Sequence, residues 1–423
     1  MAEKIIRDPV HDVIAFRTEL PLDNLLFNLI NAEEFQRLRR VRQLGLTSLA
    51  YPCADHSRYS HSLGVMETAR RILGQLELDF RIDDYQKAVC FSAALLHDLG
   101  HGPFSHVFER ITGVHHEEYT CRVVMDCGSD VNRMLGQFSP TLPQDVANVI
   151  RHQPHPTVIS DVISSQLDAD RFDYLLRDNL MTGCQYGAFD LNWLLHSLAV
   201  DSAGDRLAVH AKGVSAVEAF LQSRYHMYRN VYFHKVVRSA EGLVKLVLQR
   251  AKRLAVQGRL SWPEPEHAVR RALLGMELTL DQFKDLDDIS MLHCFKLWAN
   301  APDAVLARLC RGLLYRRLYK VIDLPAEMSS QEALAVAAKA KFAVASRGGD
   351  ADYDLFYDEP ADTPYDLGEG RGEHERQISV IDDRGQVVPL SQISSIPEAL
   401  NRQLMFRRLH MADPWEEVVR AEL

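Results

Sequence analysis

The feature that most constrains this chain is an apolar helical segment that ends on two adjacent ionisable residues. The apolar run from Ala88 to Leu96 leads directly into His97 and Asp98. Burying such a pair is costly unless both groups are satisfied by partners. A Gly-His-Gly-Pro turn follows at residues 100–103. The chain must therefore fold so that other polar groups or an ion meet this helix end.

Apolar residues at helical spacing recur along most of the chain and predict a mainly α-helical protein. Residues 4–16 differ, because apolar and polar residues alternate there around Asp8 and Pro9, as in a strand or hairpin arm. A first helical segment starts near Asn24, and residues 50–60 interrupt it. The other predicted helices span residues 61–76, 85–97, 117–125, 143–151, 165–179, 214–257, 265–274 and 302–319.

The composition changes beyond about residue 345. Residues 348–372 are rich in Asp, Glu, Gly, Pro and Tyr, which favours a loop. Residues 377–390 predict two short strands around an Asp-Asp-Arg-Gly turn, and a final helix is predicted over residues 397–408. We therefore expect a small C-terminal α/β addition to the helical body. The expected parts are an N-terminal arm and helix (1–50), a core (51–260), a helical C-terminal lobe (261–345), an acidic loop (346–376) and a hairpin plus helix (377–423).

Composition and charge exclude several classes of protein. The 423 residues are 47% apolar and 25% charged, which is typical of a globular chain with a sizeable core. The net charge of −10 argues against a general nucleic-acid coat, which needs a basic surface. No apolar run approaches the roughly 18 residues of a membrane span, so no membrane partner is expected. Seven scattered cysteines without a Cys-x-x-Cys pair indicate reduced thiols, and we expect a cytoplasmic protein.

The histidines predict a metal site. Nine of the 18 lie between His56 and His155, although clustering alone decides little. An imidazole beside a carboxylate, as at residues 97 and 98, supplies mixed nitrogen and oxygen ligands suited to Mn, Fe, Zn or Mg. A His-Asp pair alone is more often a solvated helix end, so further ligands are required. The candidate ligands from three separate helices are His61, His97, Asp98 and Asp170.

The order His…His-Asp…Asp resembles the signature of the HD superfamily of metal-dependent phosphohydrolases. The chain is most similar to the deoxynucleoside triphosphate (dNTP) triphosphohydrolase branch, including the vertebrate enzyme that joins a sterile-alpha-motif domain to an HD domain, and its bacterial relatives. The resemblance covers about residues 4–250, and more weakly 280–325. It implies an HD-domain helical bundle, a divalent metal cofactor (Mn, Fe, Mg, Zn, Co or Ni) and a dNTP substrate. The matching stretches are residues 8–11, 35–39, 42–45, 61–65, 97–106 and 170–174.

The resemblance also implies catalytic residues. His101 and His106 follow the metal pair and correspond to residues beside the α-phosphate. His116 corresponds to the histidine that gives a proton to the departing 5′ oxygen, and Glu109 to an acid oriented toward that histidine. A capping or packing role is the alternative for His106. The neighbouring His115 is expected to take no part.

A nucleotide pocket is implied next to the metal. Asp170, Tyr174 and Asp178 are four residues apart and therefore share one helix face. By resemblance, Asp178 meets the sugar 3′-hydroxyl and Tyr174 lies beside the deoxyribose. The remaining implied contacts are Gln43 and Leu44 at the sugar and base, Tyr232 where a 2′-hydroxyl would lie, and Arg58, Arg171 and Arg224 at the phosphates.

The resemblance also implies a second nucleotide site, although charged helix residues usually belong to solvated faces. In the regulated relatives, activating nucleotides bind between subunits, which implies a homo-oligomer (dimer or tetramer). Asn31 stands where those relatives carry a guanine-reading acid, so guanine-specific activation is not expected. The corresponding residues here are Lys4, Ile5, Gln36, Arg39, Arg316 and Lys320.

The sequence thus predicts metal-dependent hydrolysis of dNTPs to deoxynucleosides and inorganic triphosphate. One alternative is an HD-superfamily nucleotidase or phosphodiesterase that acts on other nucleotides. Another is a nucleotide or single-stranded nucleic-acid sensor with little turnover, since residues 224–235 interleave aromatic and basic side chains. A nucleotide pocket explains that segment at least as well, because the chain as a whole has a negative net charge.

Overall fold

The computed structural model describes residues 3–113, 115–153, 157–201, 203–362, 377–401 and 403–423. The chain begins with an antiparallel hairpin of β1 (Glu3–Asp8) and β2 (Asp12–Arg17), in which Asp8 pairs with Asp12. Asp12 has a φ of 60° at the turn, and the Asp8 side chain accepts the backbone N–H groups of Val10 and His11. The predicted strand arm is therefore confirmed.

A helical bundle forms the core of the fold. Its central helix α3 packs against α4 and α10. A capping box of Asp83 and Gln86 begins α4, while Asp168 caps α10 and Gly183 ends it with a φ of 73°. The helices are α1 (Pro21–Asn31), α2 (Glu33–Gln36), α3 (Arg58–Leu76), α4 (Asp84–Leu96), α5 (His106–Thr112), α6 (His116–Met125), α7 (Asp130–Phe138), α8 (Leu142–Ile150), α9 (Val158–Ile163), α10 (Ala169–Thr182), α11 (Leu191–His196) and α12 (Val214–Met227).

Two predicted helices are shorter than their apolar patterns suggest. The first ends at Asn31, because Ala32 is extended, and a 3-10 turn over Arg37–Arg40 follows α2. The segment predicted as one helix over 214–257 is also broken. It passes from α12 through a π-helical turn, Tyr228–Tyr232, into α13 (Lys235–Val256). Such π-turns displace the side chains that follow and are frequent at functional sites.

The C-terminal lobe is a second helical layer with its own hydrophobic core. Helix α13 packs against α17, and Phe295 and Trp298 of α16 are fully buried in this core. Burial of such large apolar side chains supplies most of the stabilisation of a layer like this. The elements are α14 (Ala268–Leu273), α15 (Leu280–Lys284), α16 (Asp288–Trp298), α17 (Ala304–Leu314), β5 (Lys320–Asp323) and α18 (Ser330–Ser346).

The C-terminal end differs from the prediction. Part of the expected acidic loop forms β6 (Leu355–Asp358) and β7 (Ala361–Asp362), whereas residues 363–376 lie outside the described residues. The predicted hairpin is present as β8 (Ser379–Ile381) and β9 (Val387–Pro389). The predicted helix over 397–408 is wrong, because the helix stops at Leu400. The elements there are α19 (Ile396–Leu400), β10 (Leu404–Met405), β11 (Arg408–Met411) and α20 (Glu416–Arg420).

Strand pairing joins the C-terminal end to both helical layers. Strand β11 is buried between β5 and β6, and β7 pairs with β10. Strand β8 lies parallel to β4 (Leu207–His210) in the four-stranded sheet β3-β4-β8-β9, where β3 is Leu198–Val200. The five-part division of the chain stays a prediction, but these pairings connect parts that it separates. The fold class is confirmed as mainly α, with a strand arm and a small C-terminal α/β addition.

Candidate active site

The four predicted metal ligands converge at the centre of the bundle. His61 is on α3, His97 and Asp98 follow the last residue of α4, and Asp170 is in the first turn of α10. Asp170 Oδ1 lies 2.9 Å from His61 Nε2 and 3.6 Å from His97 Nε2. Asp98 lies 3.4 Å from His97 Nε2 and 3.7 Å from His61 Nε2. Residues up to 109 positions apart in sequence thus face one point.

The chemistry of this cluster fits a divalent metal. The Nε2 atoms of His61 and His97 are buried and face the Asp98 and Asp170 carboxylates, but no contact between them has the geometry of a hydrogen bond. Their Nδ1 atoms are engaged, at 2.8 Å from Asp173 Oδ2 and at 2.9 Å from the Ala94 carbonyl oxygen. When Nδ1 carries the proton, the Nε2 lone pair is free to bind a metal. Two imidazole nitrogens and two carboxylates form a ligand set that suits Mn, Fe, Co, Ni or Zn.

Electrostatics also favour a cation here. Burial alone would lower the pKa of His61, but the Asp170 and Asp173 carboxylates raise this pKa to about 10. Burial would raise the pKa of Asp170, but His61 and His97 hold it well below its usual range. Without an ion, the cluster therefore attracts protons, and a divalent cation would satisfy the same carboxylates.

The cluster lies at the wall of a cavity of about 480 Å³. Of the predicted site residues, eleven line this cavity, so the structure brings most of the predicted set together. They are Gln43, Leu44, Arg58, His97, Asp98, His101, His116, Asp170, Tyr174, Asp178 and Tyr232.

Arg58 and His101 flank Asp98 at the metal end of the cavity. The Arg58 guanidinium pairs with Asp98 and donates to the Ser105 hydroxyl at 2.8 Å and 3.2 Å. Burial raises the pKa of Asp98, but Arg58, His97 and His101 together hold it well below its usual range. Burial and the Arg58 charge lower the pKa of His101, which lies 3.2 Å from Asp98. His101 is therefore neutral at pH 7.

Glu109 and His116, the predicted proton-transfer pair, lie together beside His101. Glu109 Oε1 accepts the His116 backbone N–H at 2.6 Å and lies 2.8 Å from His116 Nδ1. The His116 ring stacks on His101 at 3.8 Å, with 13° between their planes. Asp98, His101 and His116 form a second group that could hold a metal, beside the group of His61, His97 and Asp170. Asp98, predicted as a ligand together with His61, His97 and Asp170, thus also faces this second group. His106 begins α5, but its side chain lies outside the described residues, and its role stays a prediction.

The opposite end of the cavity carries the predicted sugar contacts. Asp178 accepts a hydrogen bond from the Tyr232 hydroxyl at 2.8 Å. Its other oxygen lies 2.7 Å from His56 Nε2, a contact that the sequence did not predict. Tyr174 and Tyr232 meet edge to face at 6.4 Å. Burial raises the pKa of Tyr174 well above its usual value, so this side chain remains a neutral phenol.

Two predicted phosphate contacts are not in the cavity wall. Arg171 turns back along α10 to its capping residue Asp168, at 3.1 Å. Arg224 lies over the Tyr228 ring at 5.4 Å and near Asp362 at 3.7 Å. Each guanidinium is oriented by the partners that lie near it in the folded chain. Arg110 of α5 lines the cavity instead, and no sequence pattern singled it out.

The six predicted regulatory residues fall in three places. Lys4 and Ile5 are exposed on β1. Gln36 accepts a hydrogen bond from Arg39 at 2.8 Å, and the Arg39 guanidinium lies over the Tyr59 ring. The remaining two, Arg316 and Lys320, line a second cavity beside β5.

Comparisons with known proteins agree with this geometry. The HD domain family matches residues 58–178, and the HD-associated region matches residues 189–261. The uncharacterized protein YwfO of Bacillus subtilis is 38% identical over 405 residues, covering 94% of this chain and 89% of that protein. The Dictyostelium discoideum protein named deoxynucleoside triphosphate triphosphohydrolase SAMHD1 homolog is 30% identical over 341 residues. That match covers 76% of this chain and 60% of the relative.

Solved structures show the same fold. A phosphohydrolase from Bacteroides thetaiotaomicron superposes with a TM-score of 0.82 at 29% identity, covering 97% of this chain and all of that one. A hypothetical protein from Aquifex aeolicus superposes with a TM-score of 0.77 at 25% identity over the full length of both.

The helical fold and the His/Asp cluster define a metal-binding hydrolase. Within that class, the chain belongs to the HD-domain dNTPase-like phosphohydrolase family. Among the described residues, no helix combines the length and apolar character that crossing a membrane requires.

Proposed function

We propose that this protein hydrolyses dNTPs to deoxynucleosides and inorganic triphosphate in the cavity beside the metal cluster. The observation that carries the proposal is that one cavity of about 480 Å³ joins that cluster to an end lined by Tyr174, Asp178 and Tyr232. A nucleotide lying along this cavity directs its α-phosphate toward Asp98 and His101. The names of the SAMHD1-like relatives support the same substrate class.

The proposed chemistry places proton transfer on His116. A divalent ion held by His61, His97, Asp98 and Asp170 would neutralise charge at the α-phosphate and lower the pKa of a nearby water. His116 donates a proton to the departing 5′ oxygen through Nε2, because Glu109 holds its backbone N–H and its Nδ1. Arg58 and Arg110, the cations of the cavity wall, offset the negative charge of the phosphates.

The proposed sugar recognition depends on the Asp178–Tyr232 pair. A carboxylate oxygen of Asp178, which now contacts Tyr232 or His56, accepts a hydrogen bond from the 3′-hydroxyl. Tyr232 fills the space that a 2′-hydroxyl would need. Burial raises the pKa of Tyr232 well above its usual value, so the hydroxyl stays available as a donor to Asp178.

A metal-by-nucleotide screen tests the proposal. Purified wild type is mixed with each dNTP and with Mn, Mg, Fe, Co, Ni or Zn, and released triphosphate is measured. Asp98→Ala should reduce turnover by about 100-fold or more, because it removes a ligand shared by the cluster. Asp84→Ala is the matched control, since the Asp84 side chain at the start of α4 is 95% exposed. Equal turnover in the two variants would place the chemistry elsewhere.

A second candidate is hydrolysis of a nucleotide with fewer phosphates. The specific observation that favours it is the small number of cations in the described cavity wall, Arg58 and Arg110. Arg58 is already committed to Asp98 and Ser105. Product analysis separates the candidates, because a nucleotidase releases orthophosphate and a dNTP triphosphohydrolase releases intact triphosphate.

Regulation by a second nucleotide and assembly into a homo-oligomer remain proposals drawn from the family. Sedimentation of the protein with and without added dNTPs or GTP measures the assembly. Rates that follow simple saturation, with no response to any added nucleotide, would contradict the regulatory proposal.

A further inference from the structure

A strained turn forms part of the wall of the candidate active site. Phe104 and Ser105 are consecutive non-glycine residues with φ values of 54° and 50°. Side chains make this conformation unfavourable, so it persists only where surrounding contacts impose it. Both residues line the cavity, and the Ser105 hydroxyl accepts two hydrogen bonds from Arg58. Whatever holds this turn therefore also holds Arg58 against Asp98.

Helix α16 of the C-terminal lobe holds the turn at two points. Asp288 Oδ1 accepts the backbone N–H of Phe104 at 2.9 Å. The Phe295 ring stacks on the Phe104 ring at 5.7 Å, with 20° between their planes. Residues 288 and 295 are two helical turns apart, so both contacts come from one face of α16.

The second oxygen of Asp288 holds a different stretch of the same wall. Its Oδ2 accepts the backbone N–H of Arg42 at 3.0 Å. Arg42 directly precedes Gln43 and Leu44, which line the cavity. The Asp288 side chain thus bridges two wall segments that are about sixty residues apart, and the residue is only 3% exposed.

Starting the helix does not require Asp288. Asp287 is the N-cap of α16, because its side chain accepts the Ser290 N–H at 2.9 Å, and it pairs with Arg40. Asp288 therefore does not cap the helix. Its buried carboxylate instead links the backbone N–H groups of Arg42 and Phe104. An asparagine cannot replace it, because its amide group would face one of the two N–H donors.

We infer that Asp288 is a positioning residue of the active site, acting through the Phe104–Ser105 turn on Arg58 and through Arg42 on the Gln43–Leu44 segment. The inference rests on the proposed function of the cavity. Asp288 lies outside both regions of the chain that match the HD family descriptions. The C-terminal lobe therefore helps to shape a site whose reacting groups all come from the HD bundle.

The experiment compares Asp288→Asn with its neighbour Asp287→Asn. Asp288→Asn should lower kcat/KM by about 10-fold or more, because it leaves one buried N–H unpaired and frees the turn. Its affinity for Mn²⁺ should fall less than kcat/KM, because three of the four predicted ligands, His61, His97 and Asp170, do not touch the turn and only Asp98 is reached through Arg58. Asp287→Asn should lower the melting temperature while kcat/KM stays near that of wild type. Equal losses of kcat/KM in the two variants would overturn the inference.

A double-mutant cycle separates positioning from general destabilisation. Ser105→Ala removes the acceptor through which the turn holds Arg58. If Asp288 acts through this turn, Asp288→Asn should cost much less kcat/KM in the Ser105→Ala background than in wild type. Independent, multiplicative losses in the double variant would show that Asp288 acts by another route.

Amide hydrogen exchange tests whether Asp288 holds the two wall segments, without requiring any enzymatic turnover. Amide hydrogen exchange in peptides covering residues 41–46 and 101–106 should be faster in Asp288→Asn than in Asp287→Asn. If wild type hydrolyses no nucleotide, the proposed function fails while this comparison still decides the inference. If Asp288→Asn does not fold, Phe295→Leu loosens the same turn, and unchanged exchange and kinetics in that variant would refute it.

Discussion

A buried histidine outside the active site makes the stability of the fold sensitive to acid. His410 lies on β11, fully buried, with its ring flat against Phe356 at 4.5 Å and 8° between the planes. Neither ring nitrogen makes a hydrogen bond with the described residues. Burial lowers the pKa of His410 to about 4, opposed by Asp358 and reinforced by Arg408. The folded protein therefore holds this ring neutral.

The size of the effect follows from the difference between the folded and unfolded pKa values. An unfolded chain gives histidine a pKa of about 6.5, so protons bind the unfolded state first as the pH falls. The contribution of the neutral His410 ring to the free energy of unfolding is fully present above the unfolded pKa. It is lost progressively as the pH falls from about 6.5 to 4. With the folded pKa at about 4, the loss at pH 5 relative to pH 8 is about 2 kcal/mol.

His410→Phe tests this reasoning, because phenylalanine keeps a flat ring and cannot take up a proton. Urea denaturation at pH 8 and pH 5 gives the free energy of unfolding of each form. Wild type should lose about 2 kcal/mol more than His410→Phe between these pH values. His196→Phe, at an exposed position on α11, is the matched control and should lose as much as wild type. An equal pH-dependent loss in wild type and His410→Phe would refute the argument.

Three further predictions concern the cavity. Glu109→Gln should lower kcat by about 10- to 100-fold with little change in KM, because His116 loses its anionic partner; an unchanged kcat would exclude this pair from proton transfer. Arg110→Ala should raise the KM for a triphosphate substrate, whereas Arg171→Ala should change the melting temperature instead. A raised KM in Arg171→Ala with an unchanged KM in Arg110→Ala would show that Arg171, and not Arg110, contacts the phosphates. Tyr232→Phe should reduce the preference for dATP over ATP severalfold, measured as the ratio of kcat/KM values, because it removes the hydroxyl that fills the 2′ position. An unchanged ratio would show that this hydroxyl does not exclude ribose.

The His/Asp cluster could be predicted from sequence because its geometry is local to helix ends. His97 and Asp98 end a strongly apolar helix, and Asp170 falls in the first turn after the capping residue Asp168. Polar residues at the end of an apolar helix are carried into the protein interior when the apolar faces of the helices pack together. Only the convergence of α3, α4 and α10 had to come from the fold.

The arginines could not be placed in the same way. A guanidinium reaches several ångströms from its backbone and pairs with whichever carboxylate the fold brings near. For Arg171 that partner is Asp168, one turn away on the same helix. Arg110 reaches the cavity because α5 begins immediately after the strained turn, and residue type and spacing do not report that strain.

Long-range pairing explains the errors at the C-terminal end. Residues 397–408 have an apolar spacing that is compatible with a helix, but Arg408–Met411 is a strand with every residue buried. Its partners are Lys320–Asp323 and Leu355–Asp358, so the strand exists only because two distant segments flank it. Propensity within a short window cannot detect such partners.

The same strand gives the C-terminal end a structural connection to the cavity. The Arg408 guanidinium donates to the Phe233 carbonyl oxygen and pairs with Asp323 at 2.8 Å. Phe233 lines the cavity and directly follows the π-helical turn that carries Tyr232. A strand from the last twenty residues therefore fixes the point where the broken helix resumes. This is the second place, after Asp288, where a segment outside the HD bundle sets the shape of its cavity.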